Sequence, residues 1–201
     1  MSKNLRALAD EAVAQDPPVL IAYEMWAWGT YVEIPGAHLD ICRRIDRPNF
    51  GLCLDTSQMS VTHLASEICL PNALSPSNVP PPSASLSESF TGLTHTLSRH
   101  TDKIFYLQIS DGSRIDSHVL EVDAKAQGIH SLYAYSNAYR PLPFQKVSRP
   151  GFLPVLDVMR GVLATGLRGP WSYETKIRTI LMFRDAGLAM LWILTRGFLR
   201  N

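Results

Sequence analysis

Two rhythms of apolar residues alternate along the chain. Leu5, Leu8, Ala12 and Val13 recur at helical spacing within Leu5–Ala14, and Pro17-Pro18 ends that stretch. The next run, VLIAYEMW (Val19–Trp26), is apolar at consecutive positions, as a parallel strand covered on both faces should be. The alternation then repeats. Ala37–Ile45 reads as a helix broken at Asp46 to Pro48, and NFGLCLD (Asn49–Asp55) as a second buried strand. Leu86–Arg99 reads as a helix and KIFYLQIS (Lys103–Ser110) as a third strand. Phe152–Thr165 carries Leu153, Val155, Leu156, Val158, Met159 and Val162 on a helix that Gly166 caps. Trp171–Glu174 is a short fourth strand, and Arg178–Phe198 a final apolar helix. Two stretches fit neither rhythm. Leu70–Leu86 is rich in Pro and Ser and reads as a surface-loop insertion, and Asp111 to about Arg149 as a second long loop.

Strands separated by helices predict an α/β domain with parallel strands and long loops after them. A complete eight-stranded barrel takes about 250 residues, and this chain has 201. Periodicity is equally compatible with part of a (β/α)8 TIM barrel and with an open four-stranded sheet. Neither GxGxxG nor GxxxxGK[ST] follows the first strand, which argues against a nucleotide site.

Composition narrows the classes further. With 46% hydrophobic and 18% charged residues, the chain can form one sizeable core, read here as a single domain over residues 1–201. The net charge of +1 and the lack of a long basic stretch argue against nucleic acid. Cys42, Cys53 and Cys69 are widely spaced and odd in number, so they read as reduced, mostly buried thiols of a cytoplasmic protein. The first residues, MSKNLRALADEAVAQ, lack the features of a signal peptide. The longest apolar run, Ala186–Leu194, is well short of the ~20 residues of a membrane span.

The strand ends carry the chemistry. Glu24, Asp55, Gln108 and Glu174 lie at the ends of the four predicted strands. In a parallel barrel those ends open on one shared face, so four oxygen donors converge there. Oxygen-only donors favour a hard divalent cation: Mg²⁺ or Mn²⁺, with Co²⁺ as a further candidate. Any one such residue needs no explanation beyond the start of a loop. Four in corresponding positions, three of them carboxylates, call for a shared one.

IAYEMWAWGTYV (Ile21–Val32), RPNFGLCLDTSQ (Arg47–Gln58), KIFYLQISD (Lys103–Asp111), NAYRPLPF (Asn137–Phe144) and FLPVLDVMRGVLATGLRGPWSYE (Phe152–Glu174) resemble successive segments of fungal 3-dehydroshikimate dehydratases. These belong to the xylose-isomerase-like, or AP-endonuclease-2-like, TIM-barrel superfamily. The resemblance implies roughly the last four βα units of a barrel, so that the domain is N-terminally truncated and residues 177–201 form a divergent C-terminal helix. It assigns metal binding to Glu24, Asp55, Gln108 and Glu174. Gln108, where related sugar epimerases and isomerases usually have His, favours the dehydratase branch. Arg140 is implied as a contact to a substrate carboxylate, and Asn137 stands where the fungal motif often has His. Gln58 occupies the position of a catalytic His in bacterial relatives. An amide cannot shuttle protons, so Gln58 is read as orienting substrate, and the catalytic base stays unassigned.

The implied activity is a metal-dependent lyase converting 3-dehydroshikimate to protocatechuate and water. A sugar or inositol isomerase or epimerase of the same superfamily is the alternative enzyme, and a non-catalytic half-barrel remnant the alternative of another class. The expected partner is a small hydroxy-acid or sugar-like substrate, with no nucleic acid and no membrane. A homodimer could cover the open sheet edges.

The remaining residues carry less. Trp26, Trp28 and Tyr31 favour core packing over a cavity wall. Asp111 is equally suited to orienting a metal ligand and to starting a turn before Gly112. His63, His95, His100, His118 and His130 lack metal-site spacing and read as surface residues.

Overall fold

A computed structural model of the chain describes residues 2–27, 35–61, 84–144, 150–174 and 176–177. Helix α1 (Ser2–Val13) turns its small residues Ala9 and Ala12 inward, and strand β1 (Ile21–Glu24) follows it. Asn49 joins them: its buried side-chain amide donates to Ala9 O at 2.8 Å and Val19 O at 3.2 Å. Helix α2 (Pro35–Ile45), with proline in its first turn where no amide is needed, leads to β2 (Phe50–Asp55). Residues 56–61 are helical (α3). Helix α4 (Ala84–Ser98) precedes β3 (Ile104–Ile109), and α5 (Ser117–Gln127), α6 (Ser131–Ala138) and β4 (Tyr139–Arg140) follow it. Helix α7 (Val155–Ala164), β5 (Trp171–Tyr173) and β6 (Lys176–Ile177) complete the described elements.

The main sheet is parallel throughout, in the order β1-β2-β3-β5. A separate antiparallel pair, β4 with β6, sets Arg140 opposite Lys176. This is α/β architecture with four parallel strands of an incomplete barrel. No described helix is long and apolar enough to cross a membrane.

Burial corrects the expectation that β1 is covered on both faces. β2 is buried at every position, whereas β1 and β5 alternate with exposure, and Trp171 and Tyr173 are 46% and 69% exposed. The reason is position: β2 has a strand on each side, while β1 and β5 are the sheet's edges among the described residues. The predicted loop from Asp111 to Arg149 is also corrected, because it holds α5 and α6. Asp116 caps α5 by accepting from His118 N and Val119 N, and Gly128 ends it at φ 64°. That capping aspartate and left-handed glycine were the legible signal, but the weak apolar stripe between them was not. Residues 84–86 begin α4 rather than ending a loop, while the rest of the Pro- and Ser-rich stretch and residues 178–201 lie outside the described residues.

The register between β2 and β3 decides the site. Leu52 pairs with Ile104, but Cys53 pairs with Tyr106, so Phe105 is an extra residue in β3. Without this bulge Asp55 would stand opposite Leu107. With it, Asp55 stands opposite Gln108, and a one-residue slip exchanges every side chain between faces. Gly51 makes room for the bulge: a Cβ there would lie 2.6 Å from the Lys103 carbonyl oxygen and 2.8 Å from the Phe105 ring.

Cys42 and Cys53 are buried free thiols. Burial pushes the Cys42 thiol up to about 12, and raises Cys53 as well, with Glu24 and Asp55 adding to the shift. In a Cys69→Ser variant, a colorimetric disulfide reagent at mildly alkaline pH is therefore expected to label neither thiol until denaturant is added. Rapid labelling of the native chain would contradict the burial.

Candidate metal centre

Asp55 ends β2 and is fully buried. Helix α3 starts at the next residue, which makes Asp55 its N-cap: Oδ1 accepts from the Gln58 backbone amide at 2.7 Å. The Ser110 hydroxyl lies 3.0 Å from both carboxylate oxygens. Arg140 Nη2 donates to Asp55 Oδ2 at 2.6 Å, to Glu174 Oε2 at 2.9 Å and to Ser110 Oγ at 2.7 Å. Glu24 closes β1, and Glu174 continues the line of β5, its backbone N–H donating a hydrogen bond to Ile109 O at 3.1 Å.

Carboxylate oxygens of Glu24, Asp55 and Glu174 lie within 4.8 Å of one another. Octahedral oxygens around a small dication at ~2.1 Å stand ~3–4 Å apart, so modest side-chain adjustment brings three of them onto one ion. Gln108 stands in register beside Asp55, and its buried Oε1 has no hydrogen-bond donor among the described residues. A buried acceptor without a donor is costly, and a cation is one group that satisfies it. These residues fit a hard divalent ion.

The electrostatics agree. Burial pushes Asp55 above the usual carboxylate range, opposed by the Arg140 charge and the Gln58 amide. Burial also disfavours the charge on Arg140, but Asp55 and Glu174 beside it more than offset this and keep the guanidinium charged. Added positive charge between the carboxylates would remove the cost of gathering them.

The structure brings Glu24, Asp55, Glu174 and Arg140 into one cluster, with Gln108 in register at its side. Gln58 is buried, and its side-chain oxygen accepts from Ala27 N at 3.0 Å. It thus ties the exit of β1 to α3 rather than projecting openly. Asn137 is exposed on α6. Asp111 accepts from Gly112 N at 2.7 Å and Leu153 N at 2.9 Å, so it anchors a turn. Trp26 packs edge-on against Tyr133, whereas Trp28, Tyr31 and His63 lie outside the described residues. His95, His118 and His130 are exposed.

Sequence reasoning missed Ser110 and Thr56. Thr56 Oγ1 donates to Ser110 O at 2.5 Å and accepts from Ser110 N at 2.9 Å, clamping the ends of β2 and β3 together. Two polar residues directly after apolar strands were the available signal. Ser110→Ala is expected to leave the fold intact, to remove one donor from Asp55, and to lower the melting temperature by a few degrees, equivalent to about 1 kcal/mol. An unchanged melting curve would show that the hydroxyl contributes nothing there.

Comparison with known proteins bears on the fold and the family. The family profile described as a xylose isomerase-like TIM barrel matches residues 1–193. A 3-dehydroshikimate dehydratase of Neurospora crassa is 30% identical over 117 residues, covering 58% of this chain and 31% of that protein. The chain thus spans less than a third of that curated relative. Among solved structures, the IOLI protein with a binding zinc atom superposes with a TM-score of 0.54 at 18% identity, covering 88% of this chain and 46% of that one. A xylose isomerase-like TIM barrel/4-hydroxyphenylpyruvate dioxygenase fusion protein gives a TM-score of 0.51 at 23% identity, covering 88% of this chain and 21% of that one. At these identities the two structures speak to the fold alone.

Proposed function

The chain belongs to the xylose isomerase-like TIM barrel family, and from that premise we propose that it carries the metal-binding part of a 3-dehydroshikimate dehydratase-like lyase. The observation that carries the reading is the convergence of three strand-end carboxylates to within 4.8 Å, with the Gln108 amide in register beside them. The dehydratase from Neurospora crassa, 30% identical over 117 residues, supports the substrate class.

Glu24, Asp55, Gln108 and Glu174 would hold Mg²⁺, Mn²⁺ or Co²⁺, and the ion when bound supplies a Lewis acid that stabilises negative charge on a substrate oxygen. The protein's own residues then have three tasks. Ser110 and Thr56 hold Asp55 and the end of β3 in fixed relation. Arg140 offers a guanidinium edge to the substrate carboxylate, and its buried Nε has no acceptor among the described residues. The complete burial of Asp55 keeps bulk water from that carboxylate, while the exposed Glu24 marks the open side of the cluster. Loss of a carbon-bound proton and of the adjacent hydroxyl releases water and leaves the aromatic ring of protocatechuate. Gln58, an amide with its oxygen already engaged, does not carry that proton.

The test measures cation binding and dehydration separately. Mn²⁺ and Mg²⁺ titrations are expected to show one site on this chain that a chelator removes. Protocatechuate formation, followed by ultraviolet absorbance, is expected to be weak here and strong in a longer polypeptide that adds N-terminal barrel strands. Positioning of substrate by such strands is worth ~7–11 kcal/mol of barrier at most. Absence of cation binding would sink the metal reading. Turnover of a sugar substrate in place of 3-dehydroshikimate would move the assignment to the isomerase branch.

A further inference from the structure

Asp55 already accepts from three protein donors. Oδ1 receives the Gln58 amide, Oδ2 receives Arg140, and the Ser110 hydroxyl lies against both. The same Arg140 Nη2 reaches Glu174 Oε2 at 2.9 Å. A cation held by Asp55 and Glu174 would therefore lie against the guanidinium that bridges them and beside the other two donors. The Gln58 amide is fixed in the first turn of α3. The Ser110 hydroxyl is neutral and can rotate to accept instead of donate. Arg140 alone of the three brings a permanent positive charge next to an incoming dication.

We infer that Arg140 and a divalent cation exclude each other from Asp55 and Glu174, so that cation entry expels the guanidinium and frees it to bind an anionic group. The inference rests on the metal reading above and adds an order to it: cation first, anion second. The backbone need not move, because pairing of β4 with β6 pins Tyr139 and Arg140 while the long side chain swings. The buried Nε, which has no acceptor among the described residues, adds a reason for the side chain to leave.

Calorimetric titration of the full chain with Mn²⁺ alone tests the exclusion. Arg140→Met keeps the side-chain length and removes the charge, and is expected to bind Mn²⁺ at least about tenfold more tightly than the wild type, within the range of ordinary site-to-site coupling. Arg140→Lys keeps the charge and is expected to stay near the wild type. Equal or weaker binding by Arg140→Met overturns the exclusion while leaving the metal site standing. Failure of all three proteins to bind overturns both. A second measurement does not depend on the variant folding. In the wild type, the Arg140 Nε–H resonance is expected to shift and exchange faster with water as Mg²⁺ is added. An unmoved, protected resonance at saturating Mg²⁺ would mean that the guanidinium stays, and the inference fails.

Discussion

Asp55→Ala is expected to abolish divalent-cation binding and to destabilise the chain by about 3–5 kcal/mol, the usual consequence of removing one partner of a buried ion pair. Arg140 is 1% exposed and would lose its shortest contact. The Gln58 amide would lose its acceptor at the N-terminus of α3, and the Ser110 hydroxyl would lose both carboxylate oxygens. Glu174 still pairs with Arg140, which points to the lower part of that range. Denaturant unfolding without metal gives the stability change, and Mn²⁺ titration gives the binding change. Adding Arg140→Met to Asp55→Ala should recover part of the lost stability, because the uncompensated buried charge goes with it. Strictly additive losses would mean that the two residues are not coupled, and the cluster would have to be redrawn.

The second large effect is predicted at a glycine four residues before Asp55. Gly51→Ala is expected to destabilise the chain by about 1–3 kcal/mol, as overpacking of a dense interior does, and to weaken Mn²⁺ binding as well. The new methyl group would meet the Lys103 carbonyl oxygen at 2.6 Å and the Phe105 ring at 2.8 Å. A ring can turn aside, but the carbonyl belongs to the backbone leading into β3. Either β3 moves away or its bulge shifts, and both take Gln108 out of line with Asp55. Adding Phe105→Ala should therefore restore only part of the stability. Full recovery of stability and Mn²⁺ affinity in the double variant would place the whole conflict in the ring and absolve the register. Unchanged stability in Gly51→Ala would remove the packing argument altogether.

Much of this site was legible in the residue pattern. A strand shows itself over a few consecutive apolar residues, and what terminates it is the next residue along. Glu24, Asp55 and Glu174 are therefore visible in the residue pattern, and the preference for oxygen over sulfur donors comes with them. The helix that Asp55 caps was not read from the sequence, although Asp55 followed three residues later by Gln58 is a helix-start pattern. Burial was less legible. VLIAYEMW looks as apolar as NFGLCLD, yet among the described residues β1 is an edge and β2 is not. Apolar content states what a strand tolerates, and neighbours decide what it receives.

The alternation of strands and helices and the chemical type of each strand-end ligand follow from the sequence by itself, because both are properties of short stretches read one after another. The tertiary structure alone decided that Phe105 bulges, that Gln108 rather than Leu107 faces Asp55, and that Arg140, 85 residues along the chain from Asp55, closes the cluster. Register and ion pairing over such separations are settled by which packed arrangement buries the apolar faces while leaving no charge alone. That balance is struck across the whole fold, and no local stretch of residues contains it.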